Sequence, residues 1–114
     1  MRSKTQISVR HIKEIAIFDV IGLLSEESEE EWNAAYEQAD MENLTKLLIN
    51  FDLRSFITSS GFGLIVKLIS QTRNTEQILR VAHPNDSVRK NFEVIGLTRS
   101  IEVFASEEEA LADF

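Results

Sequence analysis

The stretch Leu47-Leu48-Ile49-Asn50-Phe51 constrains this chain more than any other. It is apolar except for one amide and is too short to form a helix. It reads as a strand buried inside a parallel sheet. Parallel neighbours cannot be joined by a tight hairpin, so crossover connections must flank this strand.

The flanking sequence supplies them. Residues 6–12, QISVRHI, alternate apolar and polar with imperfect phase, and Lys13-Glu14 suits a tight turn. Ile15 to Leu24 is apolar and β-branched, so the start of the chain reads as a β-hairpin. Gly22 and Ser25 mark a loop. Ser28 to Glu31 matches the S-x-x-E capping pattern. A helix to about Met41 follows, with Trp32, Ala35, Tyr36 and Ala39 on one face. Asp52 to Ser60 reads as a loop. Phe62, Ile65, Val66 and Ile69 then recur at helical spacing to about Thr72, with Lys67, Ser70 and Gln71 opposite. Gln77 to Ala82 is a further strand. Pro84-Asn85-Asp86 breaks it, and Asn85 or Asp86 caps a helix that turns Val88, Phe92 and Ile95 inward and stops at Gly96. Ile101 to Phe104 is a last strand. Ser106 to Glu109 opens a short helix with Ala110 and Leu111 inward.

The order β-β-α-β-α-β-α-β-α predicts an α/β fold. Its sheet is mostly parallel with right-handed crossovers and an N-terminal antiparallel hairpin, and about four helices pack on it. The 114 residues suit one domain, 1–114, without repeat or linker.

Composition narrows the function. A net charge of −7 disfavours nucleic acid and anionic membrane surfaces as partners. Much of that charge lies in SEESEEEW (Ser25–Trp32) and SEEEALADF (Ser106–Phe114), which read as solvated first turns of helices. No apolar run approaches the ~20 residues needed to span a bilayer, so membrane insertion is not expected. The start, MRSKTQISVRHIKE, lacks the apolar core of a signal peptide. The absence of cysteine removes disulfides and thiol chemistry and fits a cytoplasmic location.

Catalytic patterns are missing. There is neither a GxGxxG nor a P-loop, and Gly61-Phe62-Gly63 is only GxG. His11 and His83 have no partner at metal-ligand spacing, so no metal or cofactor is expected. Ser59 and Ser60 lack the G-x-S-x-G frame of a hydrolase. The carboxylates of Glu26–Glu31 sit at an exposed helix start, where nothing separates their pKa values for acid–base work. The chain does not read as an enzyme.

What remains is the strand–loop–helix unit around Ser59. Ser59 or Ser60 is placed to cap the helix, a structural role worth ~1 kcal/mol. The same position suits a phosphoryl group, because unpaired N–H groups and the positive dipole end face it. A third reading, motivated only by the helix terminus and the GxG, is an anion cradle at Thr58–Gly61 for a small molecule or nucleotide.

Three patches resemble the STAS domain of bacterial anti-sigma factor antagonists. VIGLLS (Val20–Ser25) is similar to that family's apolar-G-x-L-D turn. LLINFDLRSFITSSGFGLIV (Leu47–Val66) is similar to its strand followed by F-x-D-S-S-G-L-G. DSVRKNFEVIGLTRSIEVFASEEEAL (Asp86–Leu111) resembles its V-R…G-L…S-x-x-E-A-L tail. The likeness runs from about residue 6 to the end.

The resemblance implies a STAS-like single domain, with helices mainly on one side of the sheet. It implies a protein-binding switch that captures an anti-sigma factor, itself a serine kinase, and frees the sigma factor. Phosphorylation of one serine releases the partner, and a phosphatase resets the switch. The phosphoacceptor maps onto Ser59. Ser25, Thr58, Ser60, Gly61 and Phe62 map onto the partner-binding loop, with Gly63 as the motif's second glycine. Two positions depart from the pattern: Thr58 and Ser25 stand where the family has aspartates. The departures motivate an alternative, a constitutive STAS scaffold subunit of a stress-signalling assembly or of a transporter complex.

Overall fold

The computed structural model describes residues 5–39 and 43–114. Strand β1 (Gln6–Ile12) turns at Lys13, whose φ is +54°, and pairs antiparallel with β2 (Ile15–Ile21). Strands β4 (Lys46–Phe51), β6 (Ile78–Ala82) and β7 (Glu102–Phe104) add in parallel, giving the order β1-β2-β4-β6-β7. The stretch Leu47–Phe51 is thus the central strand, as its continuous apolar character requires. Between these strands run α1 (Glu29–Gln38), α2 (Ser59–Asn74) and α3 (Asp86–Ile95); α4 (Glu107–Leu111) follows β7. The expected α/β fold, with its antiparallel hairpin and four helices, is the observed one.

Side chains alternate across the sheet, so each strand serves two layers. Phe18, Val20, Leu47, Ile49, Phe51 and Val81 face the main core, with Trp32 of α1, Ile65 and Leu68 of α2 and Phe92 of α3. Trp32 meets Phe18 edge-on at 5.6 Å, and Phe92 meets both Phe51 and Phe62. Ile15, Ile17, Leu48 and Ala82 face the other way, where Ala110 and Leu111 of α4 and the following Phe114 cover them.

Several expectations are corrected. The strand expected over Ile15–Leu24 is two strands, because Gly22 (φ +97°) ends β2. Its remainder, β3 (Leu23–Leu24), pairs in parallel with β5 (Phe56–Ile57), which lies inside the stretch expected to be a loop. The capping box sits three residues earlier than Ser28–Glu31. The Ser25 hydroxyl accepts from the Glu27 N–H, and the Ser28 hydroxyl accepts from the Ser25 N–H at 3.1 Å. Both cap a 3-10 turn (Glu26–Ser28) that leads into α1, and Ser28 makes no cap on α1 itself. The expected end of α1 at Met41 lies outside the described residues. On α2 the buried stripe includes Leu64 and Leu68, and Val66 is 47% exposed. Ile95 is half exposed, since α3 ends there and Gly96 (φ +87°) turns the chain away. Of the two caps the sequence allowed for α3, Asn85 is the one used, accepting from the Val88 N–H at 2.9 Å.

Candidate functional site

The site is built where β3 and β5 dock, beyond the carboxyl end of β4. The pairing of Leu24 with Ile57 brings the loop after β3 against the first turn of α2. The Leu24 carbonyl is the pivot. It accepts from the Thr58 N–H at 3.0 Å and from the Thr58 hydroxyl at 3.4 Å. Gly61 packs directly on it, and a Cβ there would lie 2.1 Å from the Leu24 oxygen. No side chain fits that gap, so this glycine is fixed by close approach.

Thr58, not Ser59 or Ser60, is the N-cap of α2. Its backbone is extended (φ −80°, ψ 169°), and its Oγ1 accepts from the Gly61 N–H at 3.0 Å. The Ser60 hydroxyl lies 3.0 Å from Thr58 Oγ1 and accepts from the Glu26 N–H at 3.3 Å. The two hydroxyls thus share one hydrogen bond, and Thr58 Oγ1 also lies within reach of Leu24 O. Ser25 holds the 3-10 turn that carries Glu26 and Glu27. The structure therefore brings Ser25, Thr58, Ser59, Ser60 and Gly61 to one corner. Among these hydroxyls Ser59 alone has no hydrogen-bond partner in the described residues, and it is exposed. It occupies the first position of α2, where the leading N–H groups have no intrahelical acceptor.

Phe62 and Gly61 are buried, so neither offers a surface to a partner. Phe62 stacks edge-on against Phe92 at 5.2 Å and anchors the helix start from below. The sequence reading missed the Leu24 carbonyl and Glu26 as members of the site. The signals were Gly22, which isolates a two-residue strand, and the β-forming pair Phe56-Ile57 in an otherwise polar loop. The loop itself is tied down. Asp52 is bonded by Arg54, which pulls its carboxyl down to about 2. The Asn85 amide donates to the carbonyls of Leu53 and Ser55, and Ser55 Oγ donates to Val20 O at 2.7 Å.

His11 and His83 each hydrogen-bond a carbonyl, of Ala39 and Phe51 respectively, and stand apart. Among the described residues no three His, Cys, Asp or Glu side chains gather to hold a metal ion, and no helix is long and apolar enough to cross a membrane.

A mostly parallel sheet edged by one antiparallel hairpin, with a hydroxyl-bearing helix start beyond its central strand, is the architecture of a STAS domain. The chain belongs to the STAS domain family, which it matches over residues 6–110. It is similar to the anti-sigma factor antagonist SpoIIAA in its unphosphorylated form, at 26% identity and a TM-score of 0.73, over 95% of this chain and 93% of that one. It is also similar to the phosphorylated form of SpoIIAA, a Bacillus cell fate determinant, at 24% identity and a TM-score of 0.69, over 96% and 97%. An anti-sigma factor antagonist from Mycobacterium paratuberculosis shares the fold at 14% identity, with a TM-score of 0.82 over 96% and 92%. No curated protein matches the chain.

Proposed function

We propose that this chain is a phosphorylation-controlled binding switch. Unphosphorylated, it captures an anti-sigma factor that is also a serine kinase. The kinase transfers the γ-phosphoryl group of ATP to Ser59 Oγ as the bond to the bridging oxygen breaks and ADP leaves, the hydroxyl proton goes to a base on the kinase, and the added charge ends the capture. A phosphatase restores the free hydroxyl. The observation that carries this reading is the hydrogen-bond pattern: Ser25, Thr58 and Ser60 are engaged, and Ser59 is exposed and free. A phosphate there would meet open N–H groups at the helix start and bring roughly −1.5 to −2 charges. Its neighbours Glu26 and Glu27 are acidic, so a partner that tolerates the neutral hydroxyl meets a much more negative corner afterwards.

The chain carries the switch as a binding protein, with the chemistry supplied by its partners. Incubation with the cognate kinase and ATP, followed by mass spectrometry, should place one phosphate on Ser59. Ser59→Asp should lose the kinase in a pull-down that the wild type retains. Phosphate found elsewhere, or equal capture by Ser59→Asp, would overturn the reading.

The caps favour a second reading. Thr58 and Ser25, which stand for aspartates, spend their hydroxyls on backbone N–H groups and bring no carboxylate of their own to the site. A constitutive scaffold subunit has no need of one. Recovery of the same high-mass assembly with wild type and Ser59→Asp would support the scaffold.

A further inference from the structure

The face made by α2 and α3 holds a feature that the switch does not use. Each helix follows a strand of one parallel pair, so the two run side by side in the same direction. They touch where Phe62 of α2 meets Phe92 of α3 at 5.2 Å. Val66 follows Phe62 at i+4 and Ile95 follows Phe92 at i+3, so one turn on these two stand on facing sides of the same groove. Neither is covered: Val66 is 47% exposed and Ile95 50%, and the adjacent Val94 is 76% exposed. Gly63 has nothing within 4 Å of an added Cβ, which leaves room beside Val66.

The rim of the groove is basic. Arg73 of α2 and Ser100 line one opening, so the last turn of α2 meets the turn that carries Arg99. Lys90 lies four residues before Val94 on α3. Arg73, Lys90 and Arg99 have no ion-pair partner among the described residues, whereas Arg10, Lys46, Arg54 and Arg80 each have one. The helix dipole favours a cation at Arg73, but no carboxylate neutralises it. Helix α2 and the turn Leu97–Arg99 contain no acid at all. The acids of α3 lie elsewhere, Glu93 at the opening beside β7 and Asp86 in the first turn.

An uncovered aliphatic pair edged by unpaired cations matches a surface that is apolar along one stripe and acidic beside it. From Phe62 to Arg73 the groove runs ~16 Å, the length of about three helical turns. A second copy of the chain does not supply the match, because its acidic stretches at 29–31 and 107–109 carry no exposed large apolar side chain. An anionic bilayer is disfavoured by the net charge of −7. We propose that the α2–α3 groove docks an acidic amphipathic helix of a partner protein. Its apolar side chains lie between Val66 and Ile95, and its carboxylates meet Arg73, Lys90 and Arg99. Ser59 stands at the opposite end of α2, so this docking does not depend on the switch.

The test is a ¹H–¹⁵N NMR titration with a synthetic amphipathic helix of leucine and glutamate. The comparisons are a scrambled peptide of the same composition, a leucine–lysine helix and phosphatidylglycerol vesicles. Saturable shifts confined to 62–73 and 90–100 are expected with the ordered acidic peptide alone. Arg73→Glu and Ile95→Ser should each weaken binding at least about ten-fold, as loss of a central anchor does. If Ile95→Ser does not fold, Val94→Ser at its fully solvated neighbour takes its place. Ser59→Asp should leave affinity within about two-fold, since solvent and salt screen a charge at the far end of the helix. Equal binding of the scrambled or lysine peptide, binding of the vesicles, or undiminished binding by Arg73→Glu would overturn the proposal. So would shifts on this face that grow with protein concentration alone, which would assign the groove to a second copy.

Discussion

At Thr58 one hydroxyl does two jobs, closing the first turn of α2 and tying it to Leu24. Thr58→Ala should lower stability by about 1 kcal/mol in urea unfolding, the usual worth of an N-cap. Thr58→Asp should hold stability near wild type, because aspartate caps at least as well and opposes the dipole. The two glycines of the motif separate in the same assay. Gly61→Ala forces a Cβ into the Leu24 backbone and should cost about 3 kcal/mol or more, in the range of overpacked sites. Gly63 faces open space, with nothing within 4 Å of an added Cβ. Gly63→Ala should therefore stabilise the isolated chain by about 0.5–1 kcal/mol, the helix-interior cost of glycine. If that variant also binds its partner less well, the gap above Gly63 belongs to the partner. The order of strand, loop and helix start could point to Ser59 or Ser60, and the resemblance to the STAS family singled out Ser59. It could not show that Thr58 is the cap, since Thr58, Ser59 and Ser60 all have capping side chains. Only the position of the Leu24 carbonyl decides among them.

At the scale of elements, periodicity was a good guide where one face alone is buried. Trp32, Ala35 and Ala39 on α1 and Val88 and Phe92 on α3 are inside as the spacing required. It failed for Val66, because α2 buries a wide stripe that runs through Leu64 and Leu68 instead. The two-residue strands β3 and β5 were illegible for another reason: neither is long enough to show a period, and their pairing joins residues 33 positions apart. Helix α4 is the element least able to stand alone, since a helix of that length is marginal in water. Arg80 holds it. Its guanidinium donates to the carbonyls of Ala110 (2.8 Å) and Ala112 (3.2 Å), and it lies over the rings of Phe104 and Phe114. Arg80→Met keeps much of the apolar stem and removes those bonds. It should raise amide exchange across 107–114 while α2 and the central strands stay protected. Unchanged exchange there would show that Ala110 packing suffices.

At the scale of the whole molecule, charge ties the hairpin to the last helix. Arg10 of β1 grips Asp19 of β2 and Glu107 of α4, joining residues 97 apart in sequence. Burial alone would raise the Asp19 carboxyl, but hydrogen bonds from Arg10 and Asn50 outweigh it and hold the group below its ordinary 3.8. The folded chain therefore gives up this proton more readily than the unfolded chain does. Over the interval between the two pKa values the unfolded state binds more protons, so stability rises with pH. The contribution is fully present above about pH 4 to 5 and is lost as pH falls below 3.8 through the folded value. Arg10→Gln removes the partner that depresses the carboxyl. At pH 7 it should cost about 1 kcal/mol, a modest sum because the guanidinium is 41% exposed. Below pH 3.8 the same substitution should cost less, because the wild type is losing the contribution of ionised Asp19 there. Urea midpoints of both proteins at pH 7 and pH 3 measure the difference. An equal cost at pH 7 and pH 3 would mean that Arg10 acts through packing alone.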